Sequence, residues 1–161
     1  MIVVRTAAME EWRILRDIRL DALLDAPNAF GSTYAEQVAS AEPDWRRRIS
    51  RGGTFFAYIS DVDGAPPDGI VGSFQEHPGT VELVSLWVRP RARGRGVGEA
   101  LVTAVINWAK SRSVASVHLW LTDTNQRARR LYERCGFRLT GERQPMPAQP
   151  NLTEIGMVRS L

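Results

Sequence analysis

The chain has 161 residues, enough for one domain with a real core over 1–161, and its 43% hydrophobic and 24% charged content is that of a globular protein rather than a disordered or fibrous one. No apolar run reaches the ~18 residues that a membrane span needs, and Met1-Ile2-Val3-Val4-Arg5 lacks the basic-then-apolar order of a secretory leader, so neither membrane insertion nor export is expected. The net charge of +3 is carried almost wholly by arginine, Lys110 being the one lysine, and the single cysteine, Cys135, excludes an internal disulfide and fits a reducing cytoplasm.

Ile2 to Arg5 reads as a short strand, and Ala8 to about Leu24 as a helix with Trp12, Leu15, Ile18 and Ala22 on one side. Asp25-Ala26-Pro27-Asn28 breaks that helix. Ser32 or Thr33 can cap a second helix, and Pro43-Asp44-Trp45 opens a third that ends near Arg51-Gly52-Gly53, with Arg46-Arg47-Arg48 expected as its solvated face. Thr54 to Ser60 and Ile70 to Gln75 form a hairpin across a loop rich in Asp, Gly and Pro. Val81 to Val88 is the next strand, Arg95 to Arg112 a helix, and Val114 to Leu121 a strand rich in β-branched and aromatic residues. Asp123 to Arg134 is a helix capped near Asp123 or Asn125 and closed by Gly136; Phe137 to Gly141 and Glu154 to Ser160 are the last strands. Strands outnumber helices and several are joined directly, so the class is α/β with a mixed sheet. The unit from Val81 to Leu121 is expected to be a right-handed parallel crossover.

The chain is organised around Val84 to Leu101, where an apolar strand passes through an Arg/Gly-rich turn into a helix with Val97, Leu101, Ala104, Val105 and Trp108 at three- and four-residue spacings. Gly94, Gly96 and Gly98 admit unusual backbone angles and close approach of a ligand. The first N–H groups of a helix lack partners inside it and sit at the positive end of its dipole. Arg91, Arg93 and Arg95 add full charges, so the turn is an anion site suited to a pyrophosphate. It is not a Walker A loop, because no Gly-Lys-Ser/Thr follows. It is a poor dinucleotide fingerprint too, the glycines reading Gly-x-Gly-x-Gly with no βαβ unit before them.

Arg93-x-x-Gly96-x-Gly98, after a strand ending in Val-x-Pro, resembles the acetyl-CoA pyrophosphate loop of the GNAT superfamily of N-acyltransferases. One helix and one strand further on, Asn125-Gln126-Arg127-Ala128-Arg129-Arg130-Leu131-Tyr132-Glu133-Arg134-Cys135-Gly136-Phe137 resembles its second signature, Asn-x-x-Ala-x-x-Leu-Tyr-x-x-x-Gly-Phe, with every fixed position present. The resemblance is weakest over residues 1–53, where such enzymes build acceptor specificity. It implies a single domain with a central mixed sheet of six to seven strands and about four helices. It implies acetyl-CoA as cosubstrate, no metal, and an amine acceptor, either a small molecule or a peptide; a homodimer is compatible with the family but is not written in these residues. It also implies that the strands bearing Leu86 and Leu121 splay to form a slot. Backbone groups of Leu86 and Val88, flanking Trp87, would pair with the pantetheine arm. The turn Arg93-Gly94-Arg95-Gly96-Val97-Gly98-Glu99 would hold the pyrophosphate, Asn125 would hydrogen-bond the cosubstrate, and Tyr132 would face its sulfur.

Transfer needs a neutral amine, a polarised thioester and a proton for the leaving thiolate. The resemblance implies Tyr132 as the acid and the Val88 amide, near a bulge, as the donor to the thioester oxygen. Glu82 is a candidate base, on the same side as Val84, Leu86 and Val88 if the alternation is unbroken; a solvated strand-end Glu is the competing reading. His118 titrates in the right range but reads first as a polar residue beside the sheet, and His77 as a loop residue. Cys135 at a helix C-terminus, with no evident His or Asp partner, reads as a structural thiol, so direct transfer in a ternary complex is expected. Phe30 to Tyr34, Trp45 and the Pro-rich segment near Met146 are candidate walls of an acceptor pocket, with Trp87, Trp108 and Trp120 in the core or the slot. No charge pattern in 25–53 or 142–152 specifies the acceptor. Two rival readings remain: a non-catalytic acyl-CoA-binding module, and a nucleic-acid binder working through Arg-Gly-Arg-Gly. Strand-to-helix placement of that turn argues against the second, so no nucleic-acid partner is expected.

Overall fold

Alternating strand residues divide the protein into two cores, one on each face of a sheet. The computed structural model describes residues 1–161 and contains seven strands: β1 (Val3–Thr6), β2 (Phe55–Tyr58), β3 (Gly69–His77), β4 (Thr80–Val88), β5 (Ser116–Thr122), β6 (Arg138–Pro145) and β7 (Thr153–Ser160). Their spatial order is β1-β2-β3-β4-β5-β7-β6. All neighbours are antiparallel except β4 and β5, which are parallel, as the intervening helix predicts. The helices are α1 (Trp12–Asp25), α2 (Tyr34–Val38), α3 (Glu42–Ser50), α4 (Val97–Ser111) and α5 (Gln126–Arg134). The mixed α/β expectation holds, with one helix more than the four expected. The brief α2 is seeded by a capping box in which Thr33 Oγ1 accepts from the Glu36 amide at 3.2 Å and Glu36 Oε2 accepts from the Thr33 amide at 3.4 Å. No helix is long and apolar enough to cross a membrane.

Successive strand residues point to opposite faces. Phe55, Ala57, Val71, Val81 and Leu83 pack with Leu101, Val105, Tyr132 and Phe137 under α4 and α5. Phe56 and Ile70 pack instead with Trp12, Leu15, Ile18, Trp45 and Ile49 under α1 and α3. The stripe read on α4 is buried at Val97, Leu101 and Val105, while Ala104 and Trp108 lie at the edge of that core. Trp45 is 1% exposed; it is a core residue of the α1–α3 side and not the pocket wall expected of it.

Strand β4 carries the feature that positions the site. Gly72 pairs with Val84, but Ile70 pairs with Trp87, so β4 holds one residue more than β3 over this step. The extra residue bends the strand at Ser85, whose φ is +61°. The face reverses there. Val81 and Leu83 look toward α4 before the bulge, Leu86 and Val88 after it, while Trp87 turns to the α1–α3 core. The expectation that Glu82 shares a side with Leu86 and Val88 therefore fails, because the alternation is broken at Ser85. Parallel pairing of β4 with β5 stops at Leu83 and Leu119, although both strands continue. The two strands splay beyond that point, as expected, and a slot opens between them.

Candidate active site

The mouth of the slot is built by the turn after β4. Pro90–Ala92 form one 3-10 turn. Gly94 and Gly96 follow with φ of +76° and +87°, the latter as the residue that caps α4. Those left-handed angles strain a residue that has a Cβ. Backbone N–H groups from Gly94 through Glu99 find no acceptor within the chain. They converge at the N-terminus of a fifteen-residue helix, where the helix dipole adds partial positive charge. An added Cβ on Gly98 would lie 3.0 Å from Leu131 Cδ2, so that glycine lets α4 and α5 close together.

A cleft of about 660 Å3 runs from this turn along Leu86, Trp87 and Val88 to the start of α5. Gly94, Gly96, Val97, Gly98, Glu99 and Asn125 line it, together with Arg93. Arg95 does not. The Arg93 side chain is occupied by protein: its Nε donates to the Val88 carbonyl at 3.0 Å and Nη2 to Asp25 Oδ2 at 2.6 Å. Asp25 also accepts from Trp87 Nε1 at 2.9 Å. The Trp87 hydrogen bond first, and then Arg93, hold its carboxyl below the ordinary range. Arg91 pairs at 3.0 Å with Asp68, which is 1% exposed. The expected contribution of Arg91 and Arg93 as free charges is thus corrected, whereas Arg95 has no ion pair but lies outside the cleft lining. Free positive charge on the cleft comes from α5, through Arg127 and Arg130; Arg134 also lines it but pairs with Glu99 at 3.0 Å.

Helix α5 begins where the sequence placed its cap. Asn125 Oδ1 accepts from the Ala128 amide at 3.1 Å, which leaves the side-chain NH2 free at the cleft. Ala128 and Leu131 line the cleft, and Tyr132 lies behind them, 6% exposed and 5.7 Å edge-on from Phe137. The Tyr132 hydroxyl has no partner in the chain. It is not sealed either, since the fully enclosed side-chain polar atoms without partners are Arg19 Nη1 and Trp45 Nε1. Burial, with a smaller contribution from Cys135, pushes the Tyr132 pKa up and keeps the phenol protonated. Burial likewise pushes the Cys135 thiol up, as expected of a structural cysteine.

A second cavity of about 330 Å3 adjoins the cleft at Ala29 and Phe30. Phe30, Trp120 and Met146 wall it, but Tyr34 does not. Glu82 opens into it from β4. His118 Nδ1 lies 2.9 Å from Glu82 Oε1, and His118 Nε2 lies 2.9 Å from Glu142 Oε1. The Glu82 hydrogen bond outweighs burial and raises the His118 pKa. Glu142 is lowered by Thr140 first and by His118 second. Arg46 and Arg47 are surface residues paired with Glu42 and Asp44. Arg48 departs from the expected solvated face and lines this cavity with Arg19 and Arg51. Arg19 and Arg51 were not singled out by sequence. The signal for Arg19 was present, because it follows Leu15 by four residues and falls inside the apolar stripe of α1. No group of three or more His, Cys, Asp or Glu side chains is placed to hold a metal.

The family model described as the acetyltransferase (GNAT) family matches residues 14–137. Streptothricin acetyltransferase of Escherichia coli is 35% identical over 96 residues, covering 52% of this chain and 55% of that protein. N-acetylaspartate synthetase of Danio rerio is 37% identical over 103 residues, covering 64% of this chain and 34% of that protein. The chain thus spans about half or less of the length of these curated relatives. Ard1 from Thermoplasma volcanium shares the fold, with a TM-score of 0.77 at 18% identity over 99% of this chain and 97% of that one. PaiA N-acetyltransferase from Thermoplasma acidophilum, in complex with coenzyme A, does so with a TM-score of 0.76 at 14% identity over 100% and 99%.

Proposed function

Because the chain belongs to the acetyltransferase (GNAT) family, we propose that it transfers the acetyl group of acetyl-CoA to a primary amine by direct attack in a ternary complex. The carrying observation is the run of unpaired N–H groups from Gly94 to Glu99 at the mouth of the cleft. Such donors, at a helix N-terminus and beside glycines that admit close approach, suit a diphosphate. Coenzyme A in the PaiA structure supports the same assignment. The edge of β4 beyond Leu83 has no neighbouring strand on its β5 side, so Leu86, and the Val88 carbonyl that also accepts from Arg93 Nε, offer backbone groups to a pantetheine arm, with the Val88 N–H kept for the thioester oxygen. The free NH2 of Asn125 is a further donor, and Trp87 lines the cleft between Leu86 and Val88.

In this reading the amine enters through the second cavity. Its nitrogen attacks the thioester carbon, and the Val88 amide stabilises the oxygen that gains charge. Glu82 takes the amine's proton through water; His118, with a raised pKa between two carboxylates, serves as its positioning partner rather than as the base. The C–S bond breaks, and Tyr132 protonates the leaving thiolate. A buried phenol is a weak acid, but the same desolvated site raises the proton affinity of the thiolate, so the two remain matched. Titration calorimetry with CoA, followed by thiol release from acetyl-CoA with an amine panel, tests this. Saturable CoA binding and amine-dependent thiol release are expected. Failure to bind CoA ends the proposal, and binding without release under any amine leaves a non-catalytic acyl-CoA module.

A further inference from the structure

The cavity beside Glu82 gathers three arginines, none of which is held in an ion pair by the chain. Arg19 on α1, Arg48 on α3 and Arg51 just past its end line this cavity and a small adjoining recess. None of the three forms an ion pair. Arg19 is 5% exposed. Its Nε donates to Gln37 Oε1 at 2.9 Å, while Nη1 is fully enclosed and has no acceptor. Each guanidinium lies over an aromatic ring: Arg19 over Phe30 at 4.5 Å, Arg48 over Trp45 at 5.2 Å and Arg51 over Phe74 at 4.9 Å. A cation held over a ring face still has N–H groups to donate to an acceptor.

Two carboxylates, Glu82 and Glu154, line the same cavity, and neither pairs with these arginines. Glu82 faces His118, Glu154 accepts from Gln144 Nε2 at 2.5 Å, and Asp44 pairs with Arg47. Burial, and then repulsion from Arg48, lowers the Arg19 pKa to about 9. Burial and Arg51 lower that of Arg48. A desolvated cation without a counter-ion is costly, and an anion beside these arginines would lower that cost.

We infer that the acceptor amine also carries an anionic group, a carboxylate foremost, held by Arg19, Arg48 and Arg51 while its amine faces Glu82. This rests on the transferase reading and names the substrate class of that same site. The planar forks of arginine match a carboxylate bidentately. A cavity of about 330 Å3 is at the small end of ligand sites, which fits a molecule of amino-acid size. Phe30, Trp120 and Met146 supply its apolar walls.

The test compares acetylation of matched acceptors: L-phenylalanine against phenethylamine, L-methionine against L-methioninamide, β-alanine against propylamine, and phosphoethanolamine against ethanolamine. Carboxylate-bearing members are expected to have kcat/KM higher by about tenfold or more; the phosphoethanolamine pair shows whether phosphate serves as well. Arg48→Gln and Arg51→Gln are expected to reduce that preference by about tenfold through KM, with CoA affinity by calorimetry unchanged. Arg19→Gln is read only if its thermal unfolding shows a folded protein, so the two partly exposed positions carry the test. Neutral amines used as well as the acids overturn the inference. So does a preference that survives in folded Arg48→Gln and Arg51→Gln, or CoA binding with no acid in the panel acetylated. Loss of CoA binding by the wild-type chain would instead overturn the transferase reading beneath it.

Discussion

The two cavities that meet at Phe30 are built on different principles. The cleft between β4 and α5 presents mainly backbone: unpaired N–H groups of one turn, the free edge of one strand and one helix cap. The cavity between α1, α3 and β4 presents side chains drawn from segments far apart in the chain, with Arg19, Arg48, Glu82 and Met146 meeting only after folding. A surface made of backbone needs particular residues at fixed local spacings, chiefly glycine and a capping Asn, and so leaves a motif. A surface made of distant side chains leaves none.

The largest expected effect tests the cleft. Tyr132→Phe is expected to lower kcat by about a hundredfold or more with CoA affinity unchanged. Thermal unfolding should stay close to wild type, because the hydroxyl bonds nothing in the chain and the ring packing is kept. An unchanged kcat would remove Tyr132 from the chemistry and leave it as a packed aromatic.

A glycine pair compares the two regions directly. Gly96→Ala places a Cβ on a residue with φ +87°, at a cost of about 1–2 kcal/mol in denaturant unfolding. It is also expected to weaken CoA binding by about tenfold, since one missing charged hydrogen bond is of that size. Gly31→Ala, beside the second cavity, meets nothing within 4 Å at an ordinary backbone angle; it should change CoA affinity and stability little. Equal losses at the two positions would mean that the turn is not specially shaped for its ligand.

The smallest effect lies beside the second cavity, in the Glu82–His118–Glu142 contact. The folded pKa of His118 is raised above 6.5, so its contribution to stability is complete below that value and fades as pH rises through the raised pKa. Glu142, lowered in the fold, loses its share only as pH falls through its own folded value. The stability difference between wild type and His118→Gln is therefore expected to be greatest from mildly acid pH to about 6.5, and to shrink above it. Solvent screening limits it to about 1 kcal/mol or less. A difference that grows with pH in urea titrations would show that His118 is neutral in the fold.

Much of this protein was legible before folding. Helical and strand periods placed all seven strands and the main helices. The Asn125 cap and the turn at Gly94 and Gly96 were readable because each depends on a few neighbouring residues. The site was legible in part. Glu82 was singled out but put on the same face as Leu86 and Val88, because one extra residue at Ser85 reverses the alternation and the sequence has no mark for a bulge. Arg93 was read as a free charge although Asp25 neutralises it, and Arg48 as solvated although it turns inward over Trp45; both depend on partners from distant segments.

Taken alone, the sequence determined the mixed α/β class and the backbone cradle, since local spacing decides which N–H groups a turn leaves free. Tertiary structure alone decided which arginines keep a partner and which face a cavity without one, because ion pairing and burial depend on segments that the chain brings together only when the sheet closes.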